Sequence, residues 1–298
     1  MGYHPKSVRV AGGIRGLLGT LRPTVTLPAR AGSLAASELA IESNLSVPGL
    51  DNPIQRTHKH IRQLSNACIG FAQDLAALLE TPPPHGFGAI PIARSLADAG
   101  SQLFFLTDPD MSPEARVGGY LAFLRLELSR ENVRFAEESE YYGVDALDGD
   151  DDEQARTKSW TEEQNEIIES FFEEHPGVED RHQTHSEMVE NVFAESAKRL
   201  SGYQEYFAGD LGLRAYGDLA AVSHAFPRGL RMLTESAGGK FALTTTDIGS
   251  AMFPAVESWL RGVERTSAHF GWLYDPGQGD KLQLQIREMS GRIPTPEV

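Results

Sequence analysis

From residue 54 to residue 80, Ile61, Leu64, Cys68, Phe71, Leu75 and Leu78 recur at alternating steps of three and four. That spacing lays them along one stripe of an α-helix. The run Thr81-Pro82-Pro83-Pro84 ends the helix, because proline cannot continue the hydrogen-bond ladder. A second helix follows over 90–107, with Ile92, Leu96, Ala99, Leu103 and Leu106 as its stripe. Phe104 and Phe105 spread the apolar surface to other sides, so this helix is expected at the centre of a bundle. After the turn TDPDMSPEA, Ser112 is a good N-cap and Pro113 takes the favoured first helical position. The third helix, 113–142, turns Val117, Leu121, Leu124 and Leu128 inward and places Arg116, Arg125, Glu127, Arg130, Glu131 and Arg134 on its other face.

The same period continues through most of the chain. The stretch DALDGDDDEQ lies in an acidic loop over about 143–158, where like charges repel and nothing can bury. Thr161 with Gln164 reads as a capping box for a helix through 174, with Ile167, Ile168, Phe171 and Phe172 inward. Further helices are predicted over 186–208, over 213–225 and 228–237 (split by Pro227), and over 246–274. The last carries Pro254 as a kink and is lined by Val256, Leu260, Val263, Phe270 and Leu273. A short helix near 280–289 follows. Alternation by two persists nowhere, FALTTT is too short for a sheet, and no 20–50-residue repeat is visible. The expected fold is all-α: a single helical-bundle domain of about eight helices over 52–290, with tails at 1–50 and 291–298.

The N-terminal segment differs in composition. Residues 1–37 carry Lys6, Arg9, Arg15, Arg22 and Arg30 and no acid before Glu38, with many Gly, Pro, Ser and Ala. Residues 1–50 therefore read as a flexible basic tail with a short helix near 10–21. Such a leader fits an organellar transit peptide or a bacterial tail; it is too interrupted for a secretory signal.

Charge is also uneven. The formal net charge is −15, yet residues 131–190 hold 20 acids against four Lys or Arg, a balance of −16. The remainder is close to neutral. An acidic face repels phosphate backbones, which counts against nucleic-acid binding. Cys68 is the single cysteine, which excludes an internal disulfide framework and a cysteine zinc site and suits a reducing, cytoplasmic compartment. No window approaches 18 apolar residues, so a membrane span is not expected.

Candidate chemistry centres on two stretches. Arg94 and Asp98 are four apart and share the side of the second helix opposite its apolar stripe; buried, they must be paired. In YGDLAAVSHAFPRGL, Tyr216, Ala220, Ser223 and His224 fall near one helical face, and His224 lies in the last turn, where the helix dipole favours a cation. Arg228 follows Pro227. The expectation is one polar cluster of Arg94, Asp98, Tyr216, His224 and Arg228, with Arg94, Asp98 and His224 as candidates for any catalysis. The histidines of Arg56-Thr57-His58-Lys59-His60 and His182-x-x-His185-x-Glu187 read as surface residues. The Glu-x-x-His pairs of a di-iron bundle are missing, as are a G-x-G-x-x-G, a Walker loop and a G-x-S-x-G. No metal and no cofactor is expected. Phe270, Trp259, Trp272 and Tyr274 read as core.

ARSLADAGSQLFFLTDPDMSPEAR (93–116) followed by YGDLAAVSHAFPRGL (216–230) resembles a group of uncharacterised all-helical actinobacterial proteins. Their pattern is an Arg helix ending in a D-P turn and a later Y-x-x-L-x-x-x-x-H. That resemblance covers about 93–135 and 216–230, roughly a fifth of the chain, and implies the fold and a bacterial setting, not an activity. Asp98 stands where the group often has Glu, and Ala220 stands at a place that can be Ser. Arg181…His185 and Arg265…His269 more weakly resemble the Arg–His pair of HEPN-type helical ribonucleases, in which arginine steadies phosphate and histidine does acid–base work. Here only three residues separate the two, against four to six in that family. The function expected is binding of a protein partner or small ligand through the polar cluster, with self-association left open. The alternative is a HEPN-like endoribonuclease in defence or toxicity.

Overall fold

Helices occupy nearly the whole computed structural model, which describes residues 5–45, 47–81, 86–142, 151–178, 183–199, 216–217, 219–220 and 245–290. Nine α-helices run through these residues: α1 (Pro5–Val25), α2 (Leu34–Ala40), α3 (Pro53–Glu80), α4 (Gly86–Leu106), α5 (Pro113–Tyr142), α6 (Asp151–Glu174), α7 (His185–Arg199), α8 (Thr245–Phe270) and α9 (Pro276–Ser290). Residues 216, 217, 219 and 220 are also helical. Among the described residues there is no strand, only an isolated bridge between Val47 and Leu50. The all-α class is therefore as the periodicity indicates. The helices expected over 213–225 and 228–237 lie outside the described residues, apart from those four positions, as do residues 143–150 of the acidic loop and the 291–298 tail.

The chain sorts into two units. The first comprises Met1–Ala36, Ile61–Pro109 and Gln183–Val298; the second comprises Ser37–His60 and Asp110–His182.

In the first unit α4 is central, as its many-sided apolar surface suggests, and it shares its largest interface with α8. Ala93, Leu96, Ala97, Leu103, Phe104 and Leu106 are all buried. Two glycines set the spacing. A Cβ on Gly100 would sit 2.6 Å from the Trp259 backbone nitrogen, and one on Gly262 would run into the Gly100 carbonyl oxygen. The two backbones touch there, so neither position has room for a side chain.

The N-terminal segment corrects the expectation of a flexible tail. Residues 5–25 form α1, with Val10, Ala11, Ile14, Leu17, Leu18, Leu21 and Val25 buried. Those residues recur at three- and four-residue steps, which composition alone conceals. α1 packs on α9. Its basic residues have partners: Lys6 Nζ donates to the Glu288 carbonyl at 2.7 Å, Arg9 lies 3.5 Å from the Glu288 carboxylate, and Arg22 donates to Gln73. Arg15 reaches Glu80 through two hydrogen bonds of 2.8 and 2.5 Å.

α8 stops sooner than its pattern suggests. Gly271 takes φ +70, the Trp272 N–H donates to the Ser267 carbonyl at 2.8 Å, and the Gly271 N–H to Ala268 at 3.2 Å. This is a Schellman cap. It turns Leu273 out of the expected lining, leaving it 74% exposed.

In the second unit α5 packs on α6. Val117, Leu121 and Leu128 of α5 meet Ile167, Ile168 and Phe171 of α6, together with Leu45, Val47, Leu50 and Ile54. The Ala115 N–H donates to Ser112 Oγ at 3.2 Å, so the expected cap is present. The capping box at Thr161 is not: α6 starts at Asp151, and Thr161 is buried inside it. A run read as loop by its repulsion is in part a helix start. Glu42 caps α3, accepting the Ile54 and Gln55 N–H groups at 2.9 Å each.

Gly100→Ala and Gly262→Ala should each destabilise by about 2–3 kcal/mol in urea unfolding through overpacking. Gly16→Ala, where a Cβ meets nothing, should stabilise α1 by about 0.5–1 kcal/mol. His60 lies against Tyr120 with ring centroids 5.2 Å apart, and its buried Nε2 has no hydrogen-bond partner among the described residues. Burial pushes its pKa from 6.5 down to about 4. The unfolded chain thus takes a proton below about pH 6.5 that folded His60 refuses until about pH 4. Stability should fall between those values by on the order of 2–3 kcal/mol, and His60→Asn should remove that part of the slope.

Candidate functional site

Residues 94, 98 and 102 are four apart, so Arg94, Asp98 and Gln102 share one face of α4, opposite Gly100. Arg94 and Asp98 side chains are each 20% exposed, which sets this face at the edge of water rather than in the core. His185 comes from the start of α7. A capping box fixes it there: the Thr184 N–H donates to Glu187 Oε2 at 2.7 Å, and the Glu187 N–H donates to Thr184 Oγ1 at 3.2 Å.

The polar contacts are specific. The buried Tyr216 donates its hydroxyl to Asp98 Oδ1 at 2.6 Å. Gln102 Nε2 lies 2.9 Å from His185 Nε2, and His185 Nδ1 lies 3.8 Å from Asp98 Oδ2. With the amide donating, His185 Nε2 accepts and Nδ1 carries a proton toward Asp98, a tautomer assigned from the network. Arg94 faces the Tyr216 ring, its Cζ 5.9 Å from the centroid. Its Nε is 3.6 Å from Asp98 Oδ2, an ion pair longer than a hydrogen bond. Arg94 Nη1 is buried and has no hydrogen-bond partner among the described residues. Burial raises the Tyr216 hydroxyl above its ordinary pKa, the charge and hydrogen bond of Asp98 raise it further, and Arg94 opposes them. Tyr216 therefore stays a neutral donor.

Of the residues expected here, the structure brings Arg94, Asp98 and Tyr216 together. His224 and Arg228 lie outside the described residues. His185 and Gln102 were missed. Gln102 was legible as the next four-residue step after Asp98, and Thr184-x-x-Glu187 marks the helix start that delivers His185.

Several polar residues expected at the surface are buried. In the second unit His58 Nε2 is 2.7 Å from Glu38 Oε2, and Arg116 donates Nε to Glu38 Oε1 at 3.0 Å and Nη2 to the Met111 carbonyl at 3.1 Å. All three are at most 3% exposed. Arg116 was placed on the outer face of its helix because charge was taken to mean exposure; here the Glu38 carboxylate compensates its burial.

In the first unit Ser196, Glu257, Arg261, Glu264 and Gln283 form a third cluster. Glu257 accepts from Ser196, from Arg261 Nε at 3.0 Å and from Gln283 at 2.5 Å, and Arg261 reaches Glu264 at 2.8 Å. Burial alone would lower Arg261, but Glu257 and Glu264 outweigh it and hold the guanidinium above its ordinary pKa. Arg265 is held by Asp108 and the Phe104 carbonyl, at 3.0 and 3.1 Å, and lies on the Phe104 ring; His269 is buried. Trp259 and Phe270 are core residues, and Trp272 stacks on Phe270 at 4.5 Å.

Comparison with protein-family models, with curated proteins and with solved structures finds no match to any of them. Among the described residues no helix is long and apolar enough to cross a membrane.

The clusters should respond differently to mutation. Glu257→Ala leaves the largely buried Arg261 with Glu264 alone and takes the acceptor from Ser196 and Gln283, and should lower unfolding free energy by about 3 kcal/mol. Asp98→Asn keeps an acceptor for Tyr216 at a half-open site and should cost about 1 kcal/mol or less. Chemical denaturation of both variants measures the contrast.

Proposed function

We propose that this protein binds a small ligand, or a polar group of a protein partner, through the Arg94–Asp98–Gln102–His185–Tyr216 face of α4. One observation carries the reading: Arg94 holds a buried N–H that has no acceptor among the described residues, beside groups that are paired with one another. A buried unmade hydrogen bond of this kind costs about 1–3 kcal/mol. An acceptor from outside the chain would remove that cost. The carboxylates of Glu257 and Glu38, by contrast, are used by neighbouring side chains.

A ribonuclease gains less support. Arg265 spends its charge on Asp108, and His269 is buried four residues on. That pair lacks the open, positive setting that a phosphate backbone requires.

The test is a thermal-shift screen with mixed anionic, cationic and neutral metabolites on wild type, Arg94→Ala and Tyr216→Phe. At least one compound should stabilise wild type and lose its effect in both variants. Incubation with RNA should leave it intact; cleavage abolished by His269→Ala would instead favour the nuclease.

A further inference from the structure

We infer that the ligand of this face is a small monocarboxylate carrying a hydroxyl or amino group on the carbon next to the carboxylate. The inference rests on the binding reading above and deepens it.

Three observations lead there. First, the unspent group is a guanidinium. Its planar fork of donors matches an oxyanion better than any neutral group, and carboxylate is the commonest small oxyanion of matching geometry. Second, the local charge is balanced. Arg94 is compensated by Asp98, with Nε 3.6 Å from Oδ2. Such a pair leaves no surplus for a phosphate dianion or a polyphosphate, and Asp98 would repel both. Third, an acceptor sits beside the donor. Among the described residues Asp98 Oδ1 is occupied by Tyr216 at 2.6 Å, while Oδ2 has long approaches of 3.6 Å to Arg94 and 3.8 Å to His185. A donor on the ligand, one bond from its carboxylate, would satisfy Oδ2 while the carboxylate takes Arg94.

Tyr216 and Gln102 act as positioning residues. Tyr216 pins one oxygen of Asp98 and leaves the other presented. Gln102 holds the His185 ring at 2.9 Å. Neither needs to touch the ligand.

The experiment uses the full chain and calorimetric titration with named probes. Glycolate, lactate, glycine and alanine form one arm; acetate and propionate, methylamine, and inorganic phosphate form the others. At least one hydroxy or amino acid should bind wild type, and acetate or propionate should bind about tenfold more weakly, having lost the Asp98 contact. Arg94→Met should weaken binding about tenfold or more. Arg94→Lys, which keeps the charge and loses the fork, should fall between. Circular dichroism of each variant confirms folding. Binding by phosphate, methylamine or the plain acids alone, lost in Arg94→Met, overturns the ligand class and leaves the binding reading intact. If no compound here or in the mixed screen depends on Arg94 or Asp98, both readings fall.

Discussion

The close approach of α4 and α8 at Gly100 and Gly262 is the constraint from which the first unit follows. Where backbones touch, the helix pair has one distance and little freedom to slide. Van der Waals contact then runs along both helices: Leu96, Leu103 and Phe104 of α4 and Val256, Trp259 and Leu260 of α8 are all buried. Fixing one face of α4 inward fixes the opposite face outward. Arg94, Asp98 and Gln102 lie on that opposite face, and α7 presents His185 to it. A core contact between two residues without side chains thus decides where the polar chemistry stands.

The charged residues of this protein fall into two physical types. Glu38 and Glu257 are enclosed, and the carboxylate oxygens of each are taken by side-chain donors. Burial of that kind is tolerable because both oxygens of each carboxylate that lost water gained a side-chain partner. Asp98 and Arg94 are different. They are partly exposed, their mutual approach is long, and among the described residues one oxygen and one N–H remain without a close partner. A group with unspent valence at the edge of water is poorly arranged for stability and well arranged for recognition.

Much of this was legible in the sequence. Three-to-four spacing identifies α3, α4, α5 and α8, because those helices bury a continuous stripe. It also puts Arg94 and Asp98 on one face without any coordinates. What the sequence hides has physical causes. Glycine at 100 and 262 looks like a weak helix residue until the partner backbone is known. The basic residues of α1 look like a solvated leader because Glu288, Glu80 and Gln73 are far away in the chain. Arg116 and His58 look exposed because their partner, Glu38, is 78 and 20 residues distant. Long-range pairing of this sort is set by the fold and has no local signature. Tyr216 was within reach because a proline-ended helical pattern located it, although its bond to Asp98 spans 118 residues.

The central claim is that Asp98 and Tyr216 meet as one unit on α4. A double-mutant cycle measures it most directly, with Asp98→Ala, Tyr216→Phe and the double variant compared by chemical denaturation. The expected result is a coupling of about 1–2 kcal/mol, the range for a hydrogen bond to a charged group at a partly open site. Additive effects, with coupling within about 0.3 kcal/mol of zero, would mean that the two side chains do not interact and that α4 presents no assembled site.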